Sequence, residues 1–156
     1  MNSTTRYRLL LPQETAAAER ILKAAFEPLV RQLGRTHDPE TYRQLPDAVA
    51  DARVYGALID GSIVGVAVIS RSQAGWKIDE LAVAPERHGN SLGSQLLQFV
   101  EAEARAAGAP ALSLHTPLIM DRLVSFYQRH GFRESHRALP EHGLDSHLRV
   151  HMNKSL

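Results

Sequence analysis

A polar turn at residues 86–91, with a glycine at position 89 and a second glycine just after it at position 93, is the stretch whose residue types point most directly to chemistry. It follows the strand-like segment Trp76–Val83 and a proline stop at Pro85. The segment after the turn carries apolar residues at the four-residue spacing of a helix: Leu92, Leu96, Val100 and Ala104. Asn90 or Ser91 can cap that helix. Because free backbone N–H groups and the positive end of the dipole converge at a helix N-terminus, the turn predicts a phosphate-binding corner.

Two common phosphate-binding motifs do not fit this turn. The pattern GxxxxGK[ST] of a P-loop is not present, and neither is GxGxxG. No acidic residue stands at the end of a following strand, where a dinucleotide site would hold the ribose. The corner is therefore predicted to bind a phosphate group of a different kind of molecule.

The strand and turn resemble motif A of the GNAT N-acetyltransferase superfamily, in which a strand ending in LxV and a proline precede [QR]xxGx[GA] at the start of a helix. The matching stretches here are Leu81-Ala82-Val83, then Pro85, then residues 88–93, HGNSLG. Two positions depart, since His88 replaces the usual Gln or Arg and Ser91 replaces the middle glycine. The resemblance implies binding of acetyl-CoA, as co-substrate, by Leu81, Ala82, Val83, Arg87, His88, Gly89, Asn90, Ser91, Leu92, Gly93 and Ser94.

A second resemblance to the same family lies in residues 126–132, FYQRHGF, which match its [FL]YxxxGF pattern. A tyrosine late on a short helix, after the strand that follows the phosphate corner, can point its hydroxyl toward the far end of the cofactor. The resemblance implies that Tyr127 is the general acid that protonates the departing thiolate. The family's asparagine four residues before this tyrosine is Leu123 here.

Acetyl transfer to an amine makes two further demands. The tetrahedral oxyanion needs a preorganised donor, for which the resemblance implies a backbone N–H near Val83. An amine of pKa about 10.4 is protonated at pH 7, so a group must also accept its proton. Glu80 and Asp79 lie on opposite faces of the strand, so only one of them is expected to face the acceptor. We favour Glu80, with His115 as a further candidate and an ion-paired or solvated carboxylate as the alternative interpretation.

Residues 35–50 contain two prolines and have little periodicity, so they are expected to form a mobile loop with one helical turn. The family resemblance implies that this loop borders the acceptor pocket. Phe26, Tyr42 and His115 are the candidate substrate-binding residues. For Phe26 and Tyr42 the alternative is an ordinary core role. The histidines at 142, 147 and 151 have no acidic or Cys partner at ligand spacing, so no metal site is expected.

The elements that must position these residues follow from periodicity and turn signals. Strand Arg6–Leu11 precedes a helix from Gln13 that Pro28 should break, giving a second short helix to Leu33. Asp60-Gly61 joins the strands 53–59 and 62–70 in a hairpin. The predicted order is β, α, α, β, β, β, α, β, α, β, β. The expected fold class is α/β (α+β): a GNAT-like mixed, mostly antiparallel central sheet of about six to seven strands with helices on both faces.

The whole-chain composition narrows the class of protein. With 156 residues, 44% hydrophobic content and a net charge of +1, residues 1–156 are expected to form a single domain that binds neither nucleic acid nor a membrane. There is no cysteine and no long apolar run at the N-terminus. A cytoplasmic location is therefore expected.

These observations together predict an N-acetyltransferase that moves an acetyl group from acetyl-CoA to a primary amine, on a small molecule or a peptide, by direct attack in a ternary complex. The alternative is a degenerate acyl-CoA-binding sensor or partner module without turnover, which the departures at His88, Ser91 and Leu123 favour. Transfer of a longer acyl group is a third hypothesis. The family resemblance also suggests a homodimer formed through the terminal hairpin.

Overall fold

A seven-stranded mixed sheet with four helices forms the fold. The computed structural model describes residues 4–36 and 38–156. The strands are β1 (Thr5–Leu9), β2 (Val54–Ile59), β3 (Ser62–Ser72), β4 (Gly75–Val83), β5 (Ala111–Pro117), β6 (Arg133–Ala138) and β7 (Arg149–Ser155). The helices are α1 (Thr15–Gln32), α2 (Leu45–Ala50), α3 (Leu92–Ala106) and α4 (Asp121–Arg129), with short 3₁₀ helices at Pro12–Glu14, Pro39–Tyr42 and Pro85–Arg87. The predicted fold class is confirmed.

The sheet has the strand order β1-β2-β3-β4-β5-β7-β6, and β4 and β5 form its one parallel pair among the described residues. That pair is short, because only Trp76 with Leu112 and Lys77 with Ser113 are in register. Beyond these positions β4 runs on to Val83 and β5 to Pro117 without pairing to each other. The two strands therefore splay apart and leave a gap in the middle of the sheet.

Each face of the sheet carries its own apolar core. The α3–α4 face packs Leu96, Val100 and Tyr127 against Ile78 and Leu114. On the other face, α1 and α2 cover β2–β4 through residues that include Ala18, Leu22, Tyr42, Leu45, Val49, Val66, Val68 and Ala82. Helices thus cover both faces of the sheet, as predicted.

Two local predictions are wrong. Helix α1 does not break at Pro28 but continues to Gln32. Pro28 is exposed, so its missing N–H costs no buried hydrogen bond, while Leu29 and Val30 beyond it are half-buried and Leu33, at the end of the helix, is buried. The region 35–50 was expected to be a loop with one helical turn, yet it contains Pro39–Tyr42 and α2. Its helical turns are held by burial of Tyr42, Leu45, Ala48 and Val49.

The predicted hairpin at Asp60-Gly61 is confirmed. Asp60 has φ +50° and Gly61 φ +79°, the left-handed conformations that a two-residue turn of this kind requires. The stretch predicted as a second short helix ending at Leu33 is instead the last part of α1, and α2 lies farther along the chain, at Leu45–Ala50. Within the described residues, no helix combines the length and apolar character needed to cross a membrane.

Candidate active site

The edge of β4 that faces the gap is the centre of the site. The Ala84 N–H donates to the Val64 carbonyl of the neighbouring strand at 2.8 Å, so Ala84 and Ala82 direct their backbone groups toward β3. Since successive residues of a strand alternate, the N–H and C=O groups of Leu81 and Val83 point into the gap instead. Ala82, also predicted to contact the cofactor, buries its side chain in the α1 core. The open groups are therefore the N–H and C=O of Leu81 and the N–H of Val83, because the Val83 carbonyl is hydrogen-bonded to the His88 side chain.

A β-bulge at Asp79 decides which carboxylate faces which side. Ile78 is opposite Ile69 and Glu80 is opposite Val68, so Asp79 is the extra residue. Ile78 packs in the α3–α4 core, whereas Val68 belongs to the α1–α2 core. The bulge thus places the Glu80 side chain on the α1 side of the sheet. In a regular strand, Glu80 would face the same side as Ile78, toward α3 and α4. The exposed Asp79 accepts a hydrogen bond from the Ser70 hydroxyl.

Glu80 lies on the wall of a cleft that runs along the splayed strands. We call this the strand cleft; its cavity volume is about 420 Å³, and it is bounded by α1, β4, β5, the 35–42 segment and residues Tyr127, His142 and Arg149. Burial, and then the charge of Asp79, raises the pKa of Glu80 to about 7. A carboxylate with this pKa can both accept and release a proton near neutral pH.

Tyr127 stands at the junction of the strand cleft and a second cleft. Its side chain is buried, with 8% of the residue exposed, and its ring packs edge-on against Phe126 and Phe132. Burial, and to a smaller extent the charge of Glu80, raises the pKa of the Tyr127 phenol well above its ordinary value. The hydroxyl therefore stays protonated across the physiological range, as a proton donor must.

The second cleft, which we call the turn cleft, lies between the 87–94 turn and α4. Gly89 has φ +85° and Ser91 has φ +60°, so the chain makes two left-handed steps before α3 begins. The backbone N–H groups of residues 89–94 are hydrogen-bonded to no other residue in the described part of the chain. A run of free N–H groups at a helix N-terminus fits an anionic phosphate.

The lining of the turn cleft agrees with the motif in part. It contains Leu81, Val83, Arg87, His88, Gly89, Ser91, Leu92, Gly93 and Ser94. Asn90 is exposed and lines neither cleft. Ser91 occupies the cap position, but its hydroxyl makes no capping hydrogen bond. Its left-handed φ explains why the resembling motif has glycine there, because an L-residue pays about 1–2 kcal/mol for that conformation.

Helix α4 contributes side chains to the turn cleft that the sequence analysis did not include. Arg122, Phe126 and Arg129 lie on one side of the helix and line the cleft opposite the turn, together with Leu123. Their spacing of four and three residues could have indicated from the sequence that they share one face of a helix. Three arginines, Arg87 among them, thus border the free N–H groups, and this positive charge suits a diphosphate.

Phe26, Tyr42 and His115 all line the strand cleft, as does Glu80. Burial, and then the charges of Glu80 and Glu19, raises the pKa of Tyr42 well above its ordinary value. The imidazole of His115, on β5, has its pKa lowered to about 4, first by desolvation and then by Lys77, His151 and Arg149. His115 is therefore neutral near pH 7. No cluster of three or more acidic or histidine side chains is arranged to hold a metal ion between residues 4 and 36 or 38 and 156.

Known proteins resemble this chain in sequence and in fold. It is 38% identical over 86 residues to the aminoalkylphosphonate N-acetyltransferase of Salmonella typhimurium strain LT2, covering 51% of this chain and 56% of that one. It therefore spans only about half the length of that relative. It is 32% identical over 133 residues to an "IAA acetyltransferase" of Azospirillum brasilense, covering 80% of this chain and 87% of the other.

A solved structure with the same fold is that of PaiA N-acetyltransferase from Thermoplasma acidophilum in complex with coenzyme A. The TM-score is 0.81 at 15% identity, with 98% of this chain and 99% of the other covered. At this identity the likeness shows the fold. The family model described as "Acetyltransferase (GNAT) family" matches residues 17–132, which hold the bulged strand, the free N–H turn and Tyr127. The chain therefore belongs to the GNAT family of acetyltransferases, as the two motifs predicted.

Proposed function

We propose that this protein transfers the acetyl group of acetyl-CoA directly to a primary amine held in the strand cleft. The observation that carries the proposal is the arrangement around the gap. The turn with free N–H groups lies at one end, the open edge of β4 runs along it, and Tyr127 and Glu80 share the strand cleft at the other end. Nothing else in the described residues combines an anion site, open strand backbone and two proton-transfer groups in this way.

The residues that line the turn cleft and the edge of β4 are of the types that bind acetyl-CoA. The N–H groups of residues 89–94 and the guanidinium groups of Arg87, Arg122 and Arg129 would hold its phosphates. Leu81 and Val83 would bind its arm through the backbone groups that point into the gap. When bound, acetyl-CoA supplies an activated thioester carbonyl. The same backbone N–H groups are placed to stabilise an oxyanion, a contribution worth about 2.7–4 kcal/mol in comparable enzymes.

Proton transfer completes the reaction. Glu80, with its pKa near 7, accepts the proton that the amine must lose as its nitrogen forms a bond to the carbonyl carbon. Tyr127 donates its hydroxyl proton to the sulfur as the carbon–sulfur bond breaks. The products are an N-acetyl amide and the free thiol of coenzyme A. His115 remains the second candidate for the base, since it is neutral and lines the same cleft.

A binding module without turnover is the competing proposal, and Ser91 and Leu123 favour it. The strained Ser91 backbone weakens the turn, and Leu123 brings an apolar side chain to both clefts where the family has asparagine. Against it stands the retained pair of proton-transfer groups, which a sensor would not need.

Release of free thiol from acetyl-CoA, measured with and without a panel of small primary amines and short peptides, separates these functions. We expect amine-dependent thiol release and an acetylated product of matching mass. Saturable binding of coenzyme A without thiol release for any amine would support the binding module. Replacing acetyl-CoA by longer acyl-CoA esters in the same assay tests the acyl preference. Sedimentation of the purified chain tests the homodimer.

A further inference from the structure

One part of the wall of the strand cleft is formed by a cluster of cationic side chains. Arg149, on β7, binds the carboxylate of Asp145 with two hydrogen bonds, Nη1 to Oδ1 at 2.9 Å and Nη2 to Oδ2 at 3.0 Å. Arg35, just after α1, reaches Oδ2 of the same carboxylate through Nη1 at 3.3 Å. The side chains of Arg149, Asp145 and Arg35 are 6%, 3% and 20% exposed. Two guanidinium groups therefore share one carboxylate.

The carboxylate of this cluster is hidden, while its cations reach the cleft. Arg35 and Arg149 both line the strand cleft, and His142 lies beside them, whereas Asp145 is buried behind the wall. Asp145 also accepts the His147 N–H, and Arg149 donates to the His147 carbonyl at 2.7 Å, so Arg149 spends most of its N–H donors inside the cluster. Arg35 has a single long bond within the described residues. Most of the cluster's available N–H donors therefore belong to Arg35.

The neighbouring histidines respond to the same positive charge. After desolvation, the charges of Arg35 and Arg149 lower the pKa of His142, and those of Lys77 and Arg149 lower that of His115. Acidic groups lie elsewhere on the wall. Asp79 and Glu80 are on β4, and Asp38 is exposed at the rim, where it accepts the Glu40 N–H. The acidic groups of the cleft therefore include two on β4, whereas Arg35, after α1, and Arg149, on β7, form what we call the cationic corner.

Resting on the proposed acetyl transfer, we propose that the acceptor is a small amine that also carries an anionic group, a carboxylate or a phosphonate, which Arg35 binds. The amine lies toward Glu80, where it loses its proton, and the anion lies toward the cationic corner. Such an acceptor is held at both ends, its amine by Glu80 and its anion by Arg35, and is therefore bound in one orientation. A guanidinium group suits this role because it binds planar or tetrahedral oxyanions with paired hydrogen bonds. The cavity of about 420 Å³ is the size of a small-molecule site.

The test compares matched acceptors in the thiol-release assay: 3-aminopropylphosphonate, 4-aminobutyrate and neutral butylamine. We expect kcat/KM for at least one of the anionic amines to exceed that for butylamine by at least tenfold. The two anionic arms distinguish phosphonate from carboxylate. Equal kcat/KM values for all three amines would overturn the inference and leave acetyl transfer standing. No thiol release with any amine would instead overturn the proposed function.

Substitution of Arg35 ties the preference to this residue. Arg35→Gln should lower kcat/KM for the preferred anionic amine at least tenfold, through KM, and so reduce the ratio of its kcat/KM to that of butylamine. Arg35→Lys should retain part of the preference. Arg31→Gln is the matched control, because that arginine is exposed on α1 and pairs only with Glu27 among the described residues. Coenzyme A affinity, measured on each variant, reports whether the fold is intact. An Arg35→Gln variant that binds coenzyme A normally and keeps its anionic preference would overturn the inference.

Discussion

His88 donates a hydrogen bond from Nε2 to the carbonyl oxygen of Val83, at 3.0 Å. A carbonyl oxygen can only accept, so Nε2 carries the hydrogen. The bond joins the turn that borders one cleft to the strand edge that lines the gap. His88 stands where the family usually has Gln or Arg, and all three side chains can donate a hydrogen bond at this position.

Removal of this donor is predicted to weaken cofactor binding. His88→Ala should raise the Kd for coenzyme A about 3- to 10-fold, because one hydrogen bond contributes a net 0.5–1.5 kcal/mol, roughly. Titration calorimetry measures the change. His88→Gln keeps an N–H donor and should bind within about twofold of the unsubstituted protein. Equal affinities for the Ala and Gln variants would show that the contact with Val83 is not what holds the turn.

Ser91→Gly is predicted to stabilise the protein. Ser91 has φ +60° and ψ 12°, a conformation that glycine adopts without the steric cost of a Cβ. The gain should be up to about 1 kcal/mol in the free energy of unfolding, visible as a higher urea midpoint. Ser94→Gly is the control. Ser94 is helical in the first turn of α3, so this change should destabilise by about 0.5 kcal/mol. A lower midpoint for Ser91→Gly would contradict the strain argument.

Tyr127→Phe is predicted to lower kcat at least tenfold while leaving coenzyme A affinity nearly unchanged. The variant loses the hydroxyl that we propose to protonate the sulfur but keeps the ring that packs against Phe126 and Phe132. Steady-state thiol release and calorimetry measure the two effects. Tyr7→Phe serves as the control, since its hydroxyl binds Gln95 at 2.8 Å outside both clefts. Full activity in Tyr127→Phe would remove this residue from the reaction.

Activity is predicted to fall as pH drops through about 7. Glu80 accepts a proton only in its ionised form, and its pKa is raised to about 7. The value of kcat/KM should therefore lose about tenfold per pH unit below that point, with an acceptor whose own ionisation is corrected for. Glu80→Gln should lower kcat/KM and abolish this step in the pH profile. If the step persisted in the variant, His115 or another group would be the base.

The free energy of unfolding is predicted to fall as pH rises through the pKa of Glu80, whereas activity is predicted to increase. The pKa of Glu80 is raised on folding from 4.5 to about 7, so its ionised form is disfavoured in the folded state. Its contribution to stability is complete below pH 4.5 and is lost as pH rises through 7. Glu80→Gln should therefore stabilise the fold more at pH 8 than at pH 4.5, by up to about 3 kcal/mol. Urea unfolding at both pH values measures the difference, and an equal effect at both would contradict the raised pKa.

Features that depend on residues close together in the chain could be predicted from the sequence. The order of strands and helices, the Asp60-Gly61 turn and the family emerged from local patterns, because turn chemistry and motif spacing act over a few positions. The proline rule failed at Pro28, where tertiary packing of the following turn outweighed one lost hydrogen bond. In the same way, burial of Tyr42 and Leu45 made helical turns of a segment with little periodicity.

Features of the site that depend on residues far apart in the chain could not be predicted from the sequence. Glu80 was favoured over Asp79 on strand alternation, but its place on the α1 side depends on the bulge at Asp79, which no local pattern marks. Arg35 and Arg149 are 114 positions apart and meet only because the sheet order brings β7 next to β5. The catalytic and binding roles of these residues stay predictions that the experiments above test.

The two-residue pairing of β4 with β5 means that the strands β1–β4 and the strands β5, β7 and β6 share few backbone hydrogen bonds. A molecule whose arm bonds to Leu81 and Val83 would act as an eighth strand that closes this seam. The free energy of unfolding should then rise with the acetyl-CoA concentration of the solution, by RT ln(1 + [L]/Kd). Resistance to heat and to proteases should rise with it. The abundance of such a protein would follow the supply of its own acyl donor.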